Sequence, residues 1–233
     1  FNTLSYYSSE VLSVGTLVQV PLGKQVIPGL VYECASLIEA KTSIKQASFS
    51  LKKIKGVLGI SNFSKALVEG LKEASTLTLA PIGSLAEVVI NESFFDSLED
   101  IGGILEEKIL TKQKEEFASI CYGTSSERID NYKRVIRSAF ALKQSVVLVA
   151  PSIKSLEYWH STLQKGIGSH SVIIHSKRTK REQKSAITLI KNSERPLFIC
   201  TTPSNSIIPR EDISTIIIED ESSSLYKLHD RYG

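Results

Sequence analysis

Three stretches of this chain carry residue types that phosphate or metal chemistry uses, and all three follow apolar runs. Tyr122-Gly-Thr-Ser-Ser-Glu-Arg-Ile-Asp130 reads as a loop entering a helix. A phosphate-binding loop of the GxxxxGK[ST] type uses glycines for close backbone approach, a lysine for phosphate charge and a hydroxyl for Mg2+. Counting back from Tyr132, Arg128 stands at the lysine, Glu127 at its glycine and Ile129 at the hydroxyl. Thr124, Ser125, Ser126 and Arg128 are therefore the candidates for meeting a nucleotide. The same residues fit a second reading: Thr124 with Glu127 three positions on makes a capping box, which satisfies the helix's own free amides.

The second stretch, Ile216-Ile-Ile-Glu-Asp-Glu221, is an apolar run ending in acids. That arrangement offers one carboxylate to Mg2+ and the next to orient a water, which makes Glu219 and Asp220 the candidate catalytic pair. A solvated strand end is the alternative. The third is Ile174-His175-Ser176, followed by Lys177, Arg178, Lys180, Arg181 and Lys184, a basic cluster that suits either phosphate contacts or a solvated helix face. Nearer the start, Ile44 to Gly56 carries Lys45, Lys52, Lys53 and Lys55 with Phe49 and no acid. Basic residues interleaved with an aromatic suit single-stranded nucleic acid, where bases stack and lysines meet phosphates; an ordinary amphipathic strand is the plain alternative.

The elements that must position these residues change character along the chain. From Leu4 to about Val57 the pattern is short strands and turns: Thr16 to Pro21 alternates, Leu22-Gly23-Lys24 reads as a turn, and Val26 to Tyr32 is a strand in which Pro28 marks an edge or bulge. Ser48 to Val57 is a further extended run, and together these strands predict a small barrel-like sheet. Phe63, Ala66, Leu67, Gly70, Leu71 and Ala74 then recur at helical spacing after a Ser61/Asn62 start, and Leu79 to Ile90 is a second helix with Pro81 in its first turn. Gly102-Gly103 lies in a charged stretch that reads as a linker.

After Phe117, strand and helix alternate. Ile129, Tyr132, Ile136, Ala139 and Phe140 mark one helical face, and Ser145 to Ala150 is a buried strand closed by Pro151. A helix follows over 155–163, a strand over 172–174 and a charged helix over 178–191. Leu197 to Cys200 and Thr215 to Ile218 supply two more strands. This rhythm predicts a parallel sheet with helices on both faces. The expected division is 1–92 for the β-rich domain, 93–116 for the linker and 117–233 for the α/β domain.

Composition sets outer bounds. With 42% hydrophobic and 23% charged residues over 233 positions, the chain is an ordinary folded protein of one large or two modest domains. No window approaches the roughly 18 uninterrupted apolar residues of a membrane span. The first residues lack the layout of a signal peptide, and a cytoplasmic protein with no membrane partner is expected. Cys34, Cys121 and Cys200 stand far apart without metal-ligand spacing, so buried free thiols and no metal site are expected. A formal charge of +3 does not by itself imply a polyanion partner. The chain opens on Phe1, contains no Met and stops after Gly233, and so reads as a fragment.

In order and spacing, these stretches resemble the primosomal protein N′ (PriA) family over essentially the whole chain. Leu4-Ser5-Tyr6, then Val14-Gly15 through Val20-Pro21-Leu22-Gly23-Lys24 and Gly29-Leu30-Val31, is similar to the family's F-x-Y…G-x-x-V-x-VPFG…G-x-V opening. Leu51-Lys52-Lys53-Ile54 matches its LK-x-I strand, and Pro81-Ile82-Gly83 its closing P-x-G. Leu148 to Pro151 resembles the motif after the first helix of the second domain. His175-Ser176 matches its HS, Ile216 to Lys227 its IIVDEEH-x-x-SYK, and Arg231-Tyr232 its RY.

The resemblance implies an N-terminal domain that captures the 3′ end of a nascent strand at a stalled fork, with Ser5 and Tyr6 near the terminal nucleotide. Ser5 stands where a family Asp or Thr can sit. With Lys24, Lys45, Lys52, Lys53 and Lys55, these are the expected DNA-binding residues. It also implies a RecA-like superfamily 2 helicase lobe, truncated here, with ATP and Mg2+ as cofactors. Forked or single-stranded DNA, primosome proteins and single-strand-binding proteins are the implied partners. A family chain continues with a second RecA-like lobe, a zinc-binding insertion and a C-terminal domain, so zinc is expected only downstream.

This chain departs from the family at the nucleotide site. TGSGKT becomes Thr124-Ser-Ser-Glu-Arg-Ile129, DEEH becomes Glu219-Asp220-Glu221-Ser222, and GTRSA becomes Cys200-Thr-Thr-Pro-Ser204. Phosphoryl transfer relies on positioning and electrostatics, so these losses together remove several kcal/mol of transition-state stabilisation. The leading expectation is a DNA-binding replication-restart factor whose helicase lobe no longer hydrolyses ATP. The alternatives are a working helicase with Arg128 for the lysine and Glu219/Asp220 for the metal pair, and an interaction scaffold with no DNA role.

Overall fold

A computed structural model describes residues 3–36, 38, 50–60, 62–89, 116–208 and 210–226. The expected linker residues 93–115 lie outside that set, as do Ile44, Lys45, Phe49, Ser61, Lys227, Arg231 and Tyr232. The chain separates into two units, Phe1–Lys112 and Gln113–Gly233.

In the first unit the alternation after Gly15 forms β2 (Thr16–Leu22), with Leu17, Val18 and Val20 buried. A two-residue turn returns it antiparallel into β3 (Gln25–Leu30), and Gly23 supplies the positive φ of 59° that such a turn requires. Pro28 sits on β3, an outer strand of its three-stranded sheet, where its missing N–H costs no central ladder bond. Gly15 (φ 87°) lies so close to Lys65 that a Cβ there would meet its backbone N at 2.9 Å. That glycine lets β2 rest on helix α1 (Asn62–Thr78), whose Val68 and Leu71 are buried; α2 (Ile82–Val89) follows.

The extended run expected over 48–57 is divided between two sheets. β4 (Lys52–Lys53) pairs in parallel with β1 (Tyr6–Tyr7), while β5 (Gly56–Ile60) pairs with β2. The switch falls at Ile54 and Lys55, whose amides donate to Tyr7 O at 3.1 Å and Gln19 O at 2.8 Å. One run thus changes partners midway. Among the described residues the result is a three-stranded and a two-stranded sheet, where the sequence suggests a single barrel-like one.

In the second unit the βα rhythm gives the parallel sheet it predicts. The order is β7-β8-β6-β9, from β6 (Ser145–Val149), β7 (Ser171–Ile174), β8 (Phe198–Thr201) and β9 (Ile213–Ile218). Strand β6 is buried at all five positions. Its Val146 and Leu148 face α3 (Ser125–Ala141) and α4 (Ile153–Leu163), through Tyr132, Ile136, Leu156, Trp159 and Leu163. Val147 and Val149 face the other way, in the cluster that contains Ile190 of α5 (Lys180–Asn192). Helices therefore cover both faces, the condition for a parallel sheet. Edge strand β9 is covered less: Ile216 and Ile218 are exposed. Arg210 anchors the start of β9 by donating to Ser145 Oγ at 2.9 Å, Arg195 O at 2.7 Å and Asp212 Oδ2 at 2.7 Å.

Three expectations need correction. The charged helix begins at Lys180 and not at Arg178, because Thr179 and Glu182 form a capping box that stops it. Pro81 precedes α2 instead of lying in its first turn. Of the cysteines, Cys200 is buried in β8, but Cys34 and Cys121 are exposed because they lie in irregular segments outside both cores.

Candidate functional site

Each unit holds one concentration of the residues singled out above. In the second unit, the carboxyl ends of β6, β8 and β9 stop level, with Val149 opposite both Thr201 and Ile218. Strand β9 hands on to Glu219, whose amide donates to Val149 O at 2.9 Å. Asp220 then takes a φ of 52°, a left-handed turn that leaves Glu219 buried at 3% exposure and Asp220 in solvent. The two acids read as a pair in the sequence are thus separated, and among the described residues the Asp220 carboxylate accepts only a 3.3 Å bond from Ser222 Oγ.

Helix α3 presents its first turn to this buried carboxylate. Arg128 Nη1 donates to Glu219 Oε1 at 2.8 Å, and the Tyr132 hydroxyl donates to Glu219 Oε2 at 2.5 Å. The two donors are four residues apart, so they share one helical face and grip both carboxylate oxygens. The Arg128 guanidinium also lies 4.9 Å from the centroid of the Trp159 ring, a cation–π contact that shields it on one side. Its Nε is buried without a hydrogen-bond partner among the described residues. Burial, followed by the hydrogen bond to Glu219 and that group's charge, pushes the Tyr132 hydroxyl well above its ordinary pKa, so it stays a donor. From the far side, the Tyr226 hydroxyl donates to the carbonyls of Val149 at 3.0 Å and Glu219 at 2.8 Å.

The loop ahead of α3 is occupied with its own helix. Thr124 is the N-cap: its hydroxyl accepts from Glu127 N at 3.2 Å, while Glu127 Oε2 accepts from Thr124 N at 3.1 Å. The capping-box reading is the geometry found. The Glu127 carboxylate also sits 3.3 Å from where a Cβ on Gly123 would be, closing over the loop backbone. Ser125 and Ser126 are exposed, Ser126 Oγ lying 3.1 Å from Thr124 Oγ1, and Ile129 packs against the apolar core.

Nearby, His175 is buried, with its Nδ1 unpartnered among the described residues and its Nε2 3.9 Å from Glu157 Oε1. Burial, reinforced by the charge of Arg178, holds both His175 and His160 below the ordinary histidine pKa. Of the basic cluster, Arg178 pairs with Glu182 at 3.2 Å, and Lys177, Lys180, Arg181 and Lys184 are exposed.

In the first unit, the β1–β4 ladder brings together residues 46 positions apart: Tyr6 lies opposite Lys52 and Tyr7 opposite Lys53. Tyr6 is half-buried and its hydroxyl donates to Pro21 O at 3.2 Å, tying the ladder to β2. Ser5, Lys52, Lys53 and Lys55 are exposed beside it, and Lys24 is exposed at the hairpin turn that follows β2. Lys45 lies outside the described residues.

Sequence reasoning missed Tyr132 and Tyr226 as partners of Glu219, and Trp159 as the ring against Arg128. A signal existed for Tyr132, a hydroxyl on an otherwise apolar helical face one turn after Arg128. Trp159 and Tyr226 reach the site only through folding.

Comparison with known proteins adds to this geometry. A family profile described as the 3′DNA-binding domain (3′BD) matches residues 2–91. Among curated proteins, the chain is 24% identical to a replication restart protein PriA of Helicobacter pylori, over 97% of this chain and 36% of that protein. It is 22% identical to the Rickettsia felis protein of the same name, over 95% of this chain and 35% of the relative. A Chlamydia trachomatis protein of that name is 31% identical over 46% of this chain and 14% of its own length. The chain thus spans about a third of the length of the first two relatives.

Proposed function

The chain belongs to the PriA family, and from that premise we propose that it serves replication restart by binding forked DNA at the 3′ end of a nascent strand. The observation that carries this reading is the ladder in which Tyr6 and Lys52 lie side by side, inside the segment that matches the 3′ DNA-binding profile. An aromatic ring held by Pro21 and a neighbouring lysine supply a wall for a terminal base and a charge for its phosphate. Ser5, Lys24, Lys53 and Lys55 surround or extend that contact, and Lys45 belongs to the same basic stretch.

The second unit is a RecA-like helicase lobe that no longer hydrolyses ATP. Its residues do not fit a magnesium nucleotide. The cation aligned with the phosphate-binding lysine is bound to the acid aligned with the metal ligand, the loop hydroxyl of Thr124 and the Glu127 carboxylate cap their own helix, and Ile129 sits where a metal hydroxyl belongs. Primosome and single-strand-binding proteins are the partners proposed for the whole protein, in the cytoplasm. Any zinc belongs to segments beyond this chain.

Two measurements on the full-length protein test the reading. Binding by fluorescence anisotropy is expected to favour a fork with a free 3′ hydroxyl over the same fork blocked by a 3′ phosphate; equal affinities would overturn the 3′-end reading, and no binding to either fork would overturn the DNA role. DNA-stimulated ATP turnover is expected to be absent; turnover that disappears in Asp220→Ala would show a working nucleotide site.

A further inference from the structure

The β1–β4 ladder has two sides, and Tyr7, on one of them, has no part in the proposed 3′-end contact. Paired residues of a parallel ladder project to the same side, and successive residues project to opposite sides. Tyr6 with Lys52 therefore forms one face, and Tyr7 with Lys53 the other. The two tyrosines differ in what holds them. Tyr6 is half-buried with its hydroxyl bonded to Pro21 O, whereas the Tyr7 side chain is 42% exposed. The Tyr7 backbone is nevertheless fixed, because its carbonyl accepts from Ile54 N at 3.1 Å while the next amide, Lys55 N, is anchored on Gln19 O at 2.8 Å. A large exposed ring on a clamped backbone, paired with a lysine and with no acid between Ser50 and Ile60, is an arrangement with a defined ligand preference. The face is complementary to a planar base carrying a backbone phosphate: the ring offers a stacking platform at little further ordering cost, and the lysine offers the counter-charge.

We infer that Tyr7 and Lys53 form a second nucleotide subsite on the reverse of the ladder, in which Tyr7 stacks the base next to the 3′-terminal one and Lys53 meets its phosphate. This rests on the proposed 3′-end binding at Tyr6 and Lys52. With the terminal nucleotide on one side of a two-residue ladder and its neighbour on the other, the strand straddles the ladder edge. Such a grip selects an unpaired end of at least two nucleotides, because a base stacked on Tyr7 is no longer stacked in a duplex. The subsite reads no base identity, since every base has a face to stack.

The test uses the full-length protein and a primer–template whose last two 3′ nucleotides are unpaired. With 5-iodouracil at the penultimate position, irradiation is expected to cross-link Tyr7 in the unmutated chain, which needs no variant to fold. In anisotropy titrations Tyr7→Ala is expected to weaken binding about tenfold, Tyr7→Phe to bind as the parent does, and Lys53→Ala to lower the salt dependence of affinity. A cross-link mapping elsewhere, or Tyr7→Ala binding as tightly as the parent while Lys52→Ala does not, would overturn the second subsite and leave the first standing. No preference for a free 3′ end in the unmutated protein would instead remove the reading beneath it.

Discussion

The two units treat charge in opposite ways. In the first, Lys52, Lys53 and Lys55 stand in solvent beside two tyrosines, in a stretch without acids, so their charge is available to a polyanion. In the second, the cation at the head of α3 is folded inward: Arg128 is spent on Glu219, with Trp159 and Tyr132 completing the enclosure. A binding surface needs charges whose partner arrives with the ligand. A charge satisfied internally contributes to stability and offers a ligand little, because binding would first have to break the internal pair. The contrast teaches that matching a motif position is not enough. Lys52 and Arg128 both occupy places where a relative's cation is expected, and only Lys52 is left facing outward.

The sharpest way to break this contrast is Glu219→Ala. If the carboxylate is structural, removing it strands a mostly buried guanidinium and the Tyr132 hydroxyl. Urea unfolding is then expected to show a loss of about 3 kcal/mol, at the lower end for a buried pair because a third of the Arg128 side chain reaches solvent. A variant as stable as the parent would mean that the enclosure does little for the fold. The complementary experiment is the double substitution Lys52→Ala/Lys53→Ala. It is expected to leave the unfolding midpoint unchanged, lower single-stranded DNA affinity roughly 25-fold near 0.1 M salt, and reduce the slope of log affinity against log salt by about 1.4. Next comes Thr124→Ala, which removes half of the capping box and is expected to cost about 1 kcal/mol by the same urea assay. A loss of DNA-stimulated turnover from that change, with stability intact, would instead give the hydroxyl back to a nucleotide.

The smallest effect concerns pH. His160 and His175 are held below their ordinary value in the folded chain, first by burial and then by Arg178. Around His175, Lys177 acts in the same direction, while Glu157 and Glu182 oppose it. The unfolded chain therefore takes up protons more readily than the folded one. The stability tied to these groups is complete above the unfolded value of about 6.5 and declines as pH falls through the folded values. A lower thermal midpoint at pH 5 than at pH 7, with a smaller drop in His175→Gln, is the expected result. Glu182, held low by its hydrogen bonds to Thr179, adds a decline of the same sign in the carboxylate range that this variant leaves in place.

Much of the architecture was legible because it depends on neighbours a few positions apart. The apolar spacing of Ile129, Tyr132, Ile136 and Ala139 marks the buried face of α3, and the all-apolar run from Val146 to Ala150 marks a central strand. The capping pair Thr124/Glu127 needs only a three-residue interval. Pro28 announces an outer strand by its chemistry alone. The division of the 48–57 run between two sheets was not legible, since either half reads as strand and only the partners differ.

What the sequence determined by itself, then, was the order of the elements, their amphipathic faces, the local caps and the identity of the residues at motif positions. All of these follow from side-chain type and from periods of two or 3.6 residues. Only the tertiary structure decided whether each motif residue faces outward or is already engaged. Arg128 and Glu219 are 91 residues apart, and Tyr132 and Glu219 are 87 apart. Tyr6 meets Lys52 only because one strand changes sheets at Ile54. The physical reason is range: secondary structure is set by contacts within a turn or a pleat, whereas the fate of a charge depends on which distant group the packed chain brings within hydrogen-bonding reach.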